Sequence, residues 1–386
     1  MSQPKKQLLK YYLIAGEASG DLHGSNLIKA LAQKDENASF RAMGGDLMQE
    51  SGAVLDFHYK HMGFMGFFEL LRHLFKIKKR FADCKAEIEA FQPDALILID
   101  FSGFNLRIAK WAKKIGLLVH YYIAPQVWAS RPKRVEFIKT SVDHLYVTLP
   151  FEPEFYAKHH YKVEFVGHPL LDALDDEPQQ AEAFKAQHHL DERPIVALLP
   201  GSRTQEIKRM LPVMQAVAAE LPAYQFVIAG APSQEKGLYD AITGNQLRVV
   251  FGATQPLVKA AHMAVVTSGT ATLETALLNT PQVVCYKTSP LTYALAKRLI
   301  TLRYISLVNL ILDRSCLTEL IQDECNPKQL KEALKRLENS DVRDAMLQQY
   351  AELKELLGEK GASTRAATAI YENTHSAHLQ ASRLSQ

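Results

Sequence analysis

The stretch PDALILID at residues 93–100 decides the fold class, because it reads as a short strand that is buried on both faces. Pro93 opens it, Ala95–Ile99 is a continuous aliphatic run, and Asp100 ends it. Comparable runs, separated by helical patterns, occur at Tyr11–Ala15, Leu117–Ile123, Leu145–Leu149 and Val163–Val166. Buried strands that alternate with helices predict a parallel, doubly wound α/β sheet.

A second alternation of strands and helices follows the acidic, proline-containing stretch Asp172–Gln180, which we predict to be a linker. Its predicted strands are Ile195–Leu199, Phe226–Ala229, Val249–Phe251, Ala264–Thr267 and Val283–Tyr286. From Asn326 onward the apolar spacing is helical. We therefore predict two Rossmann-like domains, residues 1–171 and 172–341, with helices in 342–386 that pack back on the first domain or on a partner subunit.

The composition excludes several functional classes. The chain has 386 residues, 47% hydrophobic and 23% charged, which is typical of a globular protein. A net charge of +3 gives no argument for a nucleic-acid partner. The four cysteines form no CxxC pair, which suits a reducing compartment. We find no convincing signal peptide and no apolar run of about 18 residues, so we expect a cytoplasmic protein without a membrane-spanning helix.

Two candidate site segments follow strands of the first domain, where open parallel sheets bind ligands. One is the glycine-rich turn GEASGD at 16–21, in which Glu17 is a candidate catalytic residue. Glycines that serve packing alone are the alternative. The other is Asp100, which is placed either to act as a general base or to cap the following helix.

The second domain carries two turns that suit a diphosphate. Ser202 and Arg203 follow a predicted strand, where helix amides and a guanidinium group would bind phosphate. Gly269 and Thr270 repeat the arrangement, and Glu274 lies one helical turn later, where it can accept ribose hydroxyls. An exposed arginine and an ordinary capped helix start are the alternatives.

Metal chemistry has no motif in this sequence. HExxH, Asp-x-Asp and Walker-type patterns are missing, and we predict neither a metal nor a cofactor. The charge of a departing diphosphate would then be met by Arg203, backbone amides and helix dipoles.

Residues 61–81 combine many large apolar side chains with a cluster of cations. The candidate lipid-contacting residues are Phe64, Met65, Phe67, Phe68, Leu71, Arg72 and Lys76. Such a surface suits acyl chains and anionic headgroups at a membrane. A core helix with a solvated basic edge is the alternative.

These segments together resemble the lipid-A-disaccharide synthase family, which are inverting glycosyltransferases with the two-domain GT-B fold. The matching stretches are GEASGD at 16–21, MGFMGFFELL from Met62, ID and FN around Asp100 and Asn105, HYYIAPQVWASRPKRV from His120, LPFE from Leu149, FVGHPL from Phe165, LLPGSR ending at Arg203, SGTATLE ending at Glu274 and YISLVN ending at Asn309. Their order and spacing agree over nearly the whole chain.

The resemblance implies a reaction and roles for the site residues. A UDP-2,3-diacylglucosamine donor would glycosylate 2,3-diacylglucosamine 1-phosphate, giving a β-1,6-linked disaccharide 1-phosphate and UDP. Asp100 matches the proposed general base, and Glu17 would orient sugar hydroxyls. The UDP-binding residues would be Ser202, Arg203, Gly269, Thr270, Glu274 and Asn309. The resemblance also implies sheets that face across a cleft, contact with the inner face of the inner membrane, and a homodimer with exchanged C-terminal segments.

Three departures from the family pattern bear on these roles. Many relatives carry a second acid in the segment 100–105, where this chain has Ser102-Gly103, so a mechanism that needs this second acid is not supported here, whereas one that uses Asp100 alone is unaffected. Ala129-Ser130 stands where relatives often have a second tryptophan. Val308 replaces a common proline before Asn309.

Two other readings fit parts of the sequence. Another UDP-N-acetylglucosamine enzyme of the same architecture, a cell-wall glycosyltransferase or a UDP-sugar 2-epimerase, would share the nucleotide-binding half. An epimerase has no use for the apolar, basic stretch at 61–81. A small-molecule binding protein without catalysis would not need a carboxylate at Asp100.

Overall fold

This computed structural model contains two compact units, each built on one parallel sheet. The described residues are 8–62, 74–130, 132–174, 181–290, 292–294 and 302–384. The first unit comprises Met1–Asp172 and Glu359–Gln386, and the second comprises Ala173–Gly358. The predicted α/β class with two Rossmann-like domains is confirmed.

In the described residues of the first unit, seven strands form a sheet in the order β3-β2-β1-β4-β5-β6-β7. The strands are β1 Lys10–Ala15, β2 Ser39–Gly44, β3 Val54–His58, β4 Ala95–Ile99, β5 Leu118–Tyr122, β6 His144–Val147 and β7 Glu164–Phe165. The helices before the crossing to the second unit are α1 Ala18–Lys34, α2 Asp46–Glu50, α3 Leu74–Phe91, α4 Ser102–Lys114, α5 Val127–Ser130, α6 Arg134–Ser141, α7 Glu152–Ala157 and α8 Leu170–Ala173. A 3₁₀ turn spans Tyr59–Met62.

The second unit has a six-stranded sheet in the order β10-β9-β8-β11-β12-β13, again counted over described residues. Its strands are β8 Ile195–Leu199, β9 Gln225–Gly230, β10 Arg248–Phe251, β11 Met263–Thr267, β12 Gln282–Tyr286 and β13 Thr318–Ile321. Its helices are α9 Ala181–Gln187, α10 Thr204–Glu220, α11 Lys236–Thr243, α12 Thr254–Ala260, α13 Thr270–Leu277, α14 Leu307–Leu312, α15 Pro327–Arg336 and α16 Ser340–Leu357.

The strands predicted from aliphatic runs are present, whereas three strands were missed. β4 and β8 are buried at every position, as continuous aliphatic runs require. The missed strands are β2, β3 and β13. β3 and β13 are sheet edges with mostly half-exposed residues, so their sequences lack the aliphatic run of a central strand.

The C-terminal helix α17, Ala362–Leu384, returns to the first unit and packs against α1. Its apolar face joins the core of that unit through Ala366, Ala367 and Ile370. The Asp172 carboxylate fixes the start of α17, because it accepts hydrogen bonds at 2.6–3.2 Å from three backbone amides, those of Gly361, Ala362 and Ser363.

The predicted return at residue 342 is too early. Helix α16 belongs to the second unit, which ends at Gly358. Tyr350 of α16 is buried, and its hydroxyl bonds to Gln282 of β12 at 3.3 Å. The helical pattern continues through both helices, so periodicity alone could not show where the chain changes units. Exchange of the C-terminal segment with a second subunit stays a prediction.

Candidate active site

Glu17 and Asp100 lie just beyond the carboxyl ends of adjacent strands. β1 and β4 pair in parallel with Ala15 opposite Ile99, so the residues that follow them emerge at the same sheet edge. Both residues are exposed. The structure therefore places the two predicted catalytic carboxylates of the first unit on one edge.

Asp100 occupies a backbone turn that few residues adopt. Its φ is 44° and that of Phe101 is 47°, so two successive residues are left-handed. Such a residue costs roughly 1–3 kcal/mol and persists only where surrounding contacts hold it. The N-cap of α4 is Phe101 rather than Asp100. Asp100 itself therefore does not occupy the N-cap position, and its role as a general base stays a prediction.

Two buried side chains hold this turn through the Asp100 carbonyl. The Tyr121 hydroxyl donates to that oxygen at 2.5 Å, and Asn105 Nδ2 donates to it at 2.8 Å. Asn105 Nδ2 also lies 3.1 Å from the Ile99 carbonyl and 3.4 Å from that of Ile14. Burial raises the pKa of Tyr121 well above its usual range, so its hydroxyl remains a donor.

The GEASGD turn combines packing positions with one exposed acid. A Cβ on Gly16 would lie 2.3 Å from the Phe101 ring, so only glycine lets the two strand-end turns meet. Asp21 is buried, and its carboxylate accepts hydrogen bonds at 2.8–3.2 Å from the amides of Gly45, Leu47 and Met48. Asp21 therefore fixes α2, whereas Glu17 is the exposed acid of this motif, and its contact with a ligand stays a prediction.

Sequence reasoning did not assign a role to Glu152, which the structure buries behind the same edge. It is 1% exposed. Its Oε2 accepts from the Leu149 and Thr148 amides at 2.8 and 3.0 Å, and its Oε1 accepts from Trp128 Nε1 at 3.2 Å. Burial raises the pKa of Glu152 to about 7. The motifs around Trp128 and Glu152 are thus joined by one hydrogen bond.

In the second unit, the two predicted phosphate turns also share one sheet edge. β8 and β11 pair with Leu199 opposite Val266, so the turns after them emerge side by side. Ser202 precedes the N-cap Arg203 of α10. Gly269 is the N-cap of α13, with Thr270 as its first residue.

The first of these turns already holds a carboxylate. Glu206 Oε2 accepts from the Ser202 and Arg203 amides at 3.2 and 3.3 Å, and its other oxygen lies 3.5 Å from the Arg203 guanidinium. Gly201 has a φ of 110°, which suits glycine at this tight approach. Glu206 is the third residue of α10, but its N-cap Arg203 cannot accept a hydrogen bond, so the sequence lacks the Ser/Thr capping box that would have marked Glu206. A phosphate that bound the Ser202 and Arg203 amides would have to displace the Glu206 carboxylate.

Glu274 lies at the second turn in a half-buried position. Burial raises its pKa, and Gln255 Nε2 donates to its Oε1 at 3.0 Å. Gln255 was missed because it lies on another helix, α12. Near the same turn, the Ser268 hydroxyl donates to the Ile305 carbonyl at 2.9 Å. This bond connects the SGTATLE and YISLVN motifs.

Asn309 is buried, and its amide is bonded within the protein on both sides. Its Nδ2 donates to the Leu317 carbonyl at 3.0 Å and to Glu319 Oε1 at 2.9 Å. Its Oδ1 accepts from the Cys316 and Leu317 amides at 2.9 and 2.8 Å. Glu319 also accepts from Ser306 and Ile305. The contact of Asn309 with nucleotide stays a prediction, and this geometry favours a role in holding the loop.

The predicted lipid-contacting residues Phe64, Met65, Phe67, Phe68, Leu71 and Arg72 lie outside the described residues. Lys76 belongs to α3, but its side chain lies outside them as well. None of the helices in the described parts of the chain is both long and apolar enough to cross a bilayer.

Two parallel α/β units with polar turns at the carboxyl ends of their strands define the GT-B class. The chain belongs to the lipid-A-disaccharide synthetase family, whose model matches residues 11–372. A lipid-A-disaccharide synthase of Syntrophus aciditrophicus is 40% identical over 364 residues, which cover 92% of this chain and 95% of the relative. One of Trichlorobacter lovleyi is 38% identical over 375 residues, covering 95% and 97%. The predicted family and its class, glycosyltransferase, are confirmed.

A solved structure of similar fold is the UDP-GlcNAc 2-epimerase from Neisseria meningitidis bound to UDP-GlcNAc. The TM-score is 0.66 at 12% identity, with 94% of this chain and all of that chain covered (100%). At this identity the likeness shows the fold alone. The family match favours the synthase over the epimerase alternative.

Proposed function

We propose that this protein transfers 2,3-diacylglucosamine from its UDP derivative to 2,3-diacylglucosamine 1-phosphate, as a step of lipid A biosynthesis. The products are the β-1,6-linked disaccharide 1-phosphate and UDP. Family membership supports this reaction. The structural observation that carries it is the exposed Asp100 carboxylate, held in a left-handed turn at the end of a buried strand.

The first unit would bind the acceptor. Asp100 would take the proton of the 6-hydroxyl while that oxygen forms a bond to the anomeric carbon of the donor. The bond from this carbon to the UDP oxygen breaks, and UDP leaves with the electron pair. Attack opposite to the leaving group inverts the anomeric configuration. Glu17, on the same sheet edge, would orient sugar hydroxyls.

The second unit would bind UDP. Arg203, Gly269 and Thr270 would meet the diphosphate charge at two adjacent helix N-termini. Glu274 would accept the ribose hydroxyls, with Gln255 fixing its carboxylate. Asn309 would act through the loop that it holds.

A product assay tests the proposed reaction. Purified wild-type protein, EDTA, the UDP-sugar donor and the monosaccharide 1-phosphate acceptor should give equal amounts of disaccharide 1-phosphate and UDP, measured by mass spectrometry. The β-linkage is checked by nuclear magnetic resonance. Folded protein that makes no disaccharide, but converts UDP-N-acetylglucosamine to its 2-epimer, would overturn the proposal in favour of the epimerase.

We also propose that the protein works on the cytoplasmic face of an anionic inner membrane. Helix α4 supports this, because four of its five exposed positions, Arg107, Lys110, Lys113 and Lys114, are cationic and the helix contains no acid. Arg107 and Lys110 lie 5.7 Å from the ring centroids of Phe81 and Phe137. The basic face therefore adjoins α3, which follows the apolar stretch at 63–73 in sequence.

Reversing three charges on α4 should weaken this membrane binding. Each basic residue near an anionic surface contributes about 1 kcal/mol, so Arg107→Glu, Lys110→Glu and Lys114→Glu together should lower affinity at least about tenfold. The measurement is cosedimentation with phosphatidylglycerol vesicles, with phosphatidylcholine vesicles as reference. A matched control reverses three exposed cations of α15, namely Lys328, Lys335 and Arg336. If both triple variants lost the same vesicle affinity, the proposal that the basic face of α4 binds the membrane specifically would be contradicted.

A further inference from the structure

A buried acid in the first unit has no part in the proposed reaction, yet it is fully engaged by donors. Glu152 accepts from two backbone amides and from the Trp128 indole N–H. Trp128 itself is half-exposed, and it makes an edge contact with Phe151 at a centroid distance of 4.9 Å and an interplanar angle of 90°. The hydrogen bond to Glu152 and the edge contact with Phe151 therefore hold the orientation of the partly exposed Trp128 ring.

Trp128 belongs to the segment that follows β5, the strand paired with β4, and Asp100 follows β4. The Asp100 amide donates to the Tyr122 carbonyl, the last residue of β5, at 3.2 Å. Trp128 lies six residues further along, in α5. Glu152 begins α7 after β6, which is the next strand of the same sheet. Asp100 and Trp128 thus follow neighbouring strands on one sheet edge.

We propose that Trp128 is the surface on which the acceptor's glucosamine ring rests, and that Glu152 is a positioning residue that fixes its indole. This inference rests on the proposed function. The C–H face of a pyranose is apolar and packs well on an aromatic face, whereas its hydroxyls point sideways towards polar groups. A ring placed so would keep its 6-hydroxyl within reach of the edge that carries Asp100.

The hydrogen-bond pattern explains why a carboxylate serves here. Glu152 must accept at both oxygens, because amides face Oε2 and the indole N–H faces Oε1. A glutamine of the same size turns one end into a donor and cannot satisfy all these groups. The Glu152→Gln variant therefore keeps the volume of the side chain and releases the indole or the amides.

The ring can be observed directly, because the chain has two tryptophans. In a Trp111→Phe background, Trp128 is the remaining fluorophore. Adding the monosaccharide 1-phosphate acceptor should change its emission with saturation, whereas UDP alone should not. Free protein should also show an emission change near pH 7, where Glu152 ionises, and Glu152→Gln should remove it. Among the described residues, Tyr156 is a titratable group that faces Glu152, and burial keeps it neutral by raising its pKa.

Steady-state kinetics separates positioning from a general structural effect. Trp128→Ala and Glu152→Gln should raise the acceptor KM about tenfold, with the donor KM unchanged and kcat at saturating acceptor within about twofold. Trp128→Phe should recover most of the loss, since it restores an aromatic face. Unchanged acceptor KM in folded Trp128→Ala, or an equal rise in both KM values, would overturn the inference. Disaccharide formation by wild type in the same assay keeps the proposed function separate from this outcome.

Discussion

The Asp100→Asn variant is expected to lose about a thousandfold in kcat for disaccharide formation, with little change in the donor KM. General-base catalysis contributes roughly 10²–10⁴-fold, and an amide cannot take the proton of the acceptor hydroxyl. Asparagine is the right substitute because it tolerates the left-handed conformation that Asp100 adopts, with φ of 44°. Alanine at this position would add backbone strain to the chemical loss.

The Glu17→Gln variant is the comparison that shows whether Asp100 or Glu17 is the base. Glu17 lies on the same edge but is assigned to sugar hydroxyls, so its loss should raise the acceptor KM more than it lowers kcat. Thermal midpoints within about 2 °C of wild type would show that both variants are folded. If Asp100→Asn kept a tenth of the activity while Glu17→Gln lost it, the base would be Glu17.

The sequence predicted those parts of the molecule that depend on neighbours along the chain. Central strands such as Ala95–Ile99 are buried on both faces, so their aliphatic runs identify them directly. The residues that follow them are then placed at the carboxyl edge by topology alone. Asp100 and Gly269 are therefore identifiable as candidate site residues from the sequence alone.

What the sequence did not reveal are partners that only tertiary structure brings together. Glu319 lies ten residues beyond Asn309 and bonds to it because β13 and α14 meet. Gln255 reaches Glu274 from a different helix. Glutamate is usually a surface residue, but Glu152 is buried and accepts hydrogen bonds from Trp128 and from two backbone amides. Polar residues of this kind carry no periodic signal that would mark them as buried.

Replacing Asn309 with alanine is expected to lower the free energy of unfolding of the second unit by about 3–5 kcal/mol. The substitution leaves the Cys316 and Leu317 amides without an acceptor and the Leu317 carbonyl without its donor. Each buried group left unsatisfied costs roughly 1–3 kcal/mol. At about 2–4 °C per kcal/mol, the calorimetric midpoint of this unit should fall by about 10 °C.

The same variant decides between the two roles of Asn309, since stability and UDP affinity can be measured separately. If its amide holds the loop, the midpoint falls without any ligand, and UDP binding weakens only as far as the loop loosens. If its amide instead binds nucleotide, the midpoint without UDP hardly changes and UDP affinity drops tenfold or more. Gln329→Ala is the matched control, because Gln329 is exposed in the same unit and should change the midpoint by less than about 2 °C. The bonds at both ends of the Asn309 amide favour the first outcome, because an amide so engaged can reach a nucleotide only by giving up the loop.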